Sequence, residues 1–110
     1  MDTIAFEDFL KVDMRVGRIV SAEPLAGARI PAFKLVVDFG EIGTRQSSAR
    51  VTGCYAAGEL PGRLVVGVVN FAPKRIAGFR SEVLILGADT EQGVVLLTPE
   101  REVLPGTRIY

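Results

Sequence analysis

Apolar and polar residues alternate along Phe33–Phe39, with Phe33, Leu35, Val37 and Phe39 on one side and Lys34, Val36 and Asp38 on the other. That is the period-2 signature of a strand with one face buried. A second alternating stretch, Arg15–Ala22, slips phase. Arg15 and Arg18 both reach solvent, with Val16 and Ile19 in the core, only if Gly17 sits in a β-bulge. Arg45–Val51 follows the turn Gly40-Glu-Ile-Gly43 and reads as the return strand of a hairpin, Ala49 and Val51 inward and Gln46, Ser48 and Arg50 outward. Further strands are predicted around Leu64–Phe71, Glu82–Leu86 and Gly93–Leu97. Phe6–Leu10 after Thr3 has the spacing of a short amphipathic helix, and Cys54–Leu60 that of another, stopped by Pro61-Gly62. Glu23–Ala32 reads as a loop.

Strands at this spacing, with one short helix between the third and fourth, predict an all-β fold. It is a five-stranded Greek-key barrel of the OB type with short helices and strand extensions; a small SH3-like barrel is the alternative. No repeat or linker divides residues 1–110, so a single domain is expected, with residues 1–12 a short helical extension and 98–110 an extended tail carrying Pro99, Pro105 and Gly106. The runs Leu64–Val69, Val83–Leu86 and Val94–Leu97 are apolar on both faces, more than one small barrel buries. A self-complementary homodimer interface is the simplest cover.

Composition narrows the function. There is no histidine and one cysteine, Cys54. This removes the commonest general base, a disulfide and any cysteine-based zinc site. No catalytic residues, metal or cofactor are expected, and Cys54 reads as a small, partly buried apolar residue. No apolar run spans a membrane and the acidic N-terminus lacks signal-peptide character, so the expected location is the cytoplasm, with no membrane insertion. Net charge is zero but unevenly spread: from Arg29 to Arg80 eight bases face three acids, whereas both ends are acidic. Ten of the thirteen bases are arginine, the side chain suited to bidentate phosphate recognition. The middle of the chain thus carries the footprint of an anion-binding face.

The densest candidate chemistry lies between Leu64–Val69 and Val83–Leu86, where Asn70, Lys74, Arg75, Arg80 and Ser81 occupy a loop broken by Pro73 and Gly78. Rigid strands presenting a cationic, hydrogen-bonding loop suit binding. Asn70 ends an apolar strand and must find hydrogen bonds, to a base or ribose or to the turn itself. Lys74 and Arg75 would clamp phosphate, and with Arg80 would line one electropositive furrow. Gln46 and Ser48 join Ser81 as hydrogen-bonding groups near the face that OB folds offer to oligonucleotides, with Lys34, Arg45 and Arg50 as a basic rim. Phe71 and Phe79 either stack on bases or pack in core or interface. Asp13 and Arg15 read as an intramolecular ion pair.

Asp13-Met-Arg-Val-Gly17, Phe33-Lys-Leu-Val-Val-Asp-Phe-Gly40, Gln46-Ser-Ser48 and Val68-Val-Asn-Phe-Ala-Pro-Lys-Arg75 together resemble the tRNA-binding domain family, which includes C-terminal domains of methionyl-tRNA synthetases. The continuous run Asn70–Leu84 resembles most closely the CsaA type, called a secretion chaperone. The likeness extends from about Phe6 to Ile109. It implies an OB-fold homodimer with termini and outer strands in its interface, and it implies that Asn70 and Ser81 face tRNA. Synthetase-type domains usually carry Ser-x-Gly-Met where this chain has Ser81-Glu-Val-Leu84.

The resulting expectation is a homodimeric protein that recognises structured RNA, tRNA in particular, through a basic groove. The alternative is a peptide-binding chaperone that assists protein export. It would hold unfolded preproteins in an apolar groove of Phe33, Phe71, Ile76 and Phe79, on the same surface or another.

Overall fold

The alternation of β2 (Phe33–Asp38) organises the core of the computed structural model, which describes residues 1–110. Phe33, Leu35 and Val37 point inward, and with Ile19, Phe39, Ala49, Val51, Leu60, Val65, Val83 and Leu96 they form one buried cluster. A helix α1 (Phe6–Leu10) precedes β1 (Met14–Pro24); β2 and β3 (Thr44–Ala49) form a hairpin; β4 is Leu64–Val68. Then come β5 (Lys74–Ile76), β6 (Phe79–Ser81), β7 (Leu84–Ile85), β8 (Gly87–Thr90), β9 (Gly93–Leu96) and β10 (Arg108–Ile109).

The main sheet is antiparallel throughout, in the order β3-β2-β1-β4-β7, with β10 added to β1. Besides β10, long β1 serves two neighbours, pairing with β4 over Met14–Arg18 and with β2 over Arg18–Pro24. The stretch Arg80–Leu86 bridges the remaining gap. Its first part bonds to β3, where the Glu82 N–H donates to the Gln46 carbonyl at 2.8 Å; its last part bonds to β4, where the Leu86 N–H donates to the Val66 carbonyl at 2.9 Å. The result is an all-β, OB-like barrel, nearly closed, with little helix.

Several elements differ from expectation. The bulge in β1 lies at Val20, opposite β2, not at Gly17. Gly17 pairs regularly with Val65, and glycine is needed there for packing: a Cβ would stand 2.5 Å from Val37 Cγ1 and 2.7 Å from Phe39 Cε1. The segment Lys74–Ser81, expected as a loop, is a two-stranded ribbon, and Gly87–Thr90 adds a strand that pairs with β9 in a hairpin. Cys54–Leu60 contains only one helical turn, Ala57–Glu59.

All five residues of β4 are buried within the single chain, so that strand needs no second copy to cover it. Exposed apolar side chains gather elsewhere: Leu84 and Val95 on outer strands, Leu97 just after β9, and Ile4, Phe6, Leu10, Leu104 and Tyr110 toward the termini. Helix α1 buries none of its residues. Two backbones, the turn after β2 and the C-terminal tail, meet at Gly40 and Gly106, where an added Cβ would come 2.3 Å from the Pro105 oxygen or 2.7 Å from the Phe39 oxygen. No helix is long and apolar enough to cross a membrane.

Candidate nucleic-acid interface

The β5–β6 ribbon turns through Ala77 (φ 52°) and Gly78 (φ 78°), two left-handed residues in a two-residue hairpin loop. It lies across the outer face of the β2–β3 hairpin, and three contacts place it. At its base Ser48 N–H donates to Ser81 Oγ at 3.1 Å. Midway, Lys34 Nζ sits 5.4 Å from the centroid of the Phe79 ring, a cation–π distance. At its tip a Cβ on Gly27, in the β1–β2 loop, would lie 3.9 Å from Ala77 Cβ.

Cross-strand register decides what each face of the ribbon carries. Lys74 opposes Ser81 and Ile76 opposes Phe79, while Arg75 opposes Arg80. Opposed residues share a face and successive residues alternate. Lys74, Ile76, Phe79 and Ser81 therefore share the face turned to the barrel, and Arg75 and Arg80 share the solvent face. The expected single furrow lined by Lys74, Arg75 and Arg80 is corrected by this alternation: the three are neighbours on two faces. Beneath the ribbon's base runs an open groove of about 480 Å³, lined by Ser48, Phe71, Ala72, Lys74, Ile76, Ser81, Glu82, Val83 and Leu84.

The hydrogen-bonding residues singled out from sequence are already engaged. Ser81 is 9% exposed, its Oγ accepting from Ser48. Gln46 Nε2 donates to the Arg80 carbonyl at 2.8 Å, and the Gln46 N–H donates to Glu82 Oε1 at 3.0 Å. Buried Ser47 donates from Oγ to the Val83 carbonyl at 2.8 Å. Gln46, Ser48 and Ser81 thus close the barrel and hold the ribbon's root. Asn70 lies apart from them: Oδ1 accepts the Asp13 N–H at 3.0 Å and Nδ2 donates to the Lys11 carbonyl at 2.7 Å, pinning the link between α1 and β1. Sequence reasoning missed Ser47 and Glu82, whose partners lie more than thirty residues away.

The remaining candidates divide cleanly. Lys34 is on the outer face of β2, opposite Ser48, with Glu23 Oε1 3.7 Å from its Nζ. Arg50 is exposed just after β3, beside the start of β2. Arg45 has the parity of buried Ser47 and Ala49, at the other end of β3, and curls back to the Thr44 carbonyl at 3.2 Å. It therefore does not share the face of Gln46 and Ser48. Among the apolar candidates Phe71 is 55% exposed and Ile76 is half-buried at the groove, but Phe33 is 7% exposed within the core. Phe33 as a groove wall is corrected: its alternation on β2 carries it inward. Phe79 covers Lys34 instead of lining the groove.

Asp13 and Arg15 form the expected ion pair, Nε to Oδ1 at 2.6 Å and Nη2 to Oδ2 at 3.2 Å, while Arg15 Nη1 donates to the Gly106 carbonyl at 3.1 Å. The hydrogen bonds from Arg15 hold the Asp13 carboxyl below its ordinary range, and Asp13 raises the guanidinium in turn. No cluster of three or more His, Cys, Asp or Glu side chains is arranged to hold a metal ion.

A cationic ribbon lies over an OB-like barrel, and comparison with known proteins gives the family of this module. Residues 14–108 match the family described as "Putative tRNA binding domain", and the chain belongs to that family. It is 40% identical over 108 residues to the methionine–tRNA ligase of Archaeoglobus fulgidus, covering 98% of this chain and 16% of the relative. It is also 40% identical to that of Methanococcoides burtonii, with 99% and 16% covered. The chain thus spans about a sixth of the length of these relatives. Among solved structures it resembles the chaperone CsaA of Bacillus anthracis, at TM-score 0.93 and 49% identity over 99% of this chain and 100% of that one. The CsaA chaperone protein of Picrophilus torridus aligns at TM-score 0.93 and 47% identity, with 98% and 100% covered. These relationships support RNA binding as a property of the domain family.

Proposed function

We propose that this chain binds folded RNA, tRNA in particular, in the cytoplasm through the β5–β6 ribbon and the outer face of β2–β3, without catalysing a reaction. One observation carries the reading. Of the eight bases between Arg29 and Arg80, six form no ion pair: Arg29, Arg45, Arg50, Lys74, Arg75 and Arg80. All but Arg45 belong to the ribbon, the β1–β2 loop or the adjoining end of β3. Uncompensated cations on an exposed platform attract phosphates and release their counterions. Exposed Phe71 at the groove offers a stacking surface for an unpaired base. Lys74 and the other ribbon cations supply the phosphate contacts. Asn70, Gln46, Ser48 and Ser81 act chiefly by fixing the platform, with only their free edges open to RNA.

The module works as a homodimer in this proposal. Phe6 and Leu10 on α1, with Leu104 and Tyr110 of the tail, leave apolar surface that a second copy would bury. Titration of labelled tRNA against salt is the test. With about four phosphates engaged, raising salt from roughly 50 to roughly 200 mM weakens binding about 50-fold at the single-strand slope. Salt-independent binding would refute the electrostatic platform.

A second reading rests on the groove itself, where Phe71, Ala72, Ile76 and Leu84 are apolar, and on the likeness to CsaA chaperones. In that reading the groove takes an unfolded segment of a preprotein for export, and binding persists at high salt.

A further inference from the structure

The solvent face of the ribbon holds an arrangement that folding alone does not favour. Arg75 and Arg80 are directly opposed in register, so their Cβ atoms lie about 5 Å apart, and like charges at that spacing destabilise a strand pair. Neither forms an ion pair. Arg75 Nη1 reaches only the Gly78 carbonyl, at 3.3 Å, while the Arg80 backbone is fixed by Gln46. The turn that sets the two arginines opposite each other also places a non-glycine residue, Ala77, in a left-handed conformation. Both features raise the ribbon's free energy, and an anion on that face relieves the first.

We propose that Arg75 and Arg80 form a phosphate clamp that engages a second RNA backbone segment, separate from the one met by Lys74 on the groove side. This rests on the RNA-binding reading and deepens it. A two-faced cationic ribbon gains from both faces only when RNA presents two backbone segments on either side of it, as a folded RNA does. A single strand following the groove meets Lys74 and leaves the arginine pair in water. The clamp is thus the device by which the domain prefers folded RNA to single strands.

Two RNAs and two variants test this by fluorescence anisotropy: a tRNA and a single-stranded RNA of about 12 nucleotides, against Arg75→Gln/Arg80→Gln and Lys74→Gln. The arginine double variant should weaken tRNA binding about tenfold and flatten the slope of log affinity against log salt by about two, leaving the single strand within about twofold. Lys74→Gln should weaken both RNAs. Equal loss on both RNAs for the double variant, or loss on neither, overturns the clamp while leaving the RNA-binding reading intact. Failure of wild type to bind tRNA at low salt overturns both. Removing the like-charge pair should leave the thermal midpoint unchanged or higher; a lower one would mean that the arginines stabilise the ribbon and would contradict the proposal.

Discussion

Where β1 meets β4, five consecutive residues of each strand pair without a break, from Met14–Val68 to Arg18–Leu64, and every residue of β4 is buried. Where β3 meets Arg80–Val83, one backbone hydrogen bond is joined by four supplied by side chains, those of Gln46, Ser47, Ser81 and Glu82. A backbone ladder tolerates any side chains of suitable size. A seam made by side chains depends on who those residues are. The barrel is thus stabilised generically on one side and specifically on the other, and the specific side lies under the candidate interface.

The largest effect that would sharpen this contrast is on the core. Leu35→Ala removes a fully buried side chain beside the β1–β2 ladder and should cost about 2–5 kcal/mol in urea unfolding. RNA affinity, corrected for the folded fraction, should be unchanged. On the seam, Ser47→Ala strands the buried Val83 carbonyl and should cost about 1–3 kcal/mol, although only one oxygen atom is lost. A cost near zero would mean that the seam is held by packing alone, and the contrast between the two sides would fail.

Asn70 sits outside both regions and separates support from contact. Asn70→Ala frees the Asp13 N–H and the Lys11 carbonyl, so it should lower stability by about 1 kcal/mol and speed amide exchange around residues 11–13. A loss of RNA affinity with unaltered exchange there would instead assign the side chain to the ligand.

The β2–β3 hairpin was the more legible in sequence because its signal is local. Alternation in Phe33–Asp38 and the glycine-bounded turn to β3 are properties of neighbouring residues, and both appear as expected. The seam was misread for the same reason. Nothing near Gln46 or Ser48 announces partners at Arg80 and Ser81, so polar side chains that close the barrel looked like free recognition groups. Gly17 was assigned a bulge because strand phase is visible in sequence, whereas the Phe39 ring packed on it is not. The ribbon was missed because Ala77-Gly78 lacks the Asn-Gly or Asp-Gly pattern that announces a tight hairpin. Without its register, Lys74 and the two arginines could not be assigned to faces.

Acid stability offers a narrower probe of how the ladder's end is fastened. Asp13, held by Arg15, has its pKa depressed in the folded state. Its stabilisation is therefore fully present above the ordinary carboxylate pKa and is lost as pH falls through the folded value. Unfolding midpoints should fall more steeply below about pH 4 in wild type than in Asp13→Asn. Parallel acid limbs would place the fastening elsewhere, in the Arg15 bond to the Gly106 carbonyl.

The smallest expected effect bears most directly on the seam. Ala77 is the only non-glycine residue with positive φ, at 52°, and it occupies the first central position of the ribbon's turn, where asparagine is favoured. Ala77→Asn should relieve about 0.5–1 kcal/mol of local strain. Because the ribbon is rooted through side chains, that gain should appear as slower amide exchange in residues 74–81 and leave the global unfolding midpoint nearly unmoved. A matching rise in the global midpoint would mean that ribbon and barrel unfold as one unit, making the seam as cooperative as the ladder. A pre-ordered ribbon also loses less entropy on binding, so tRNA affinity should rise modestly, by up to about fivefold. Slower exchange without any gain in affinity would show that the ribbon is already ordered enough in the free protein, and that its strain serves no purpose in binding.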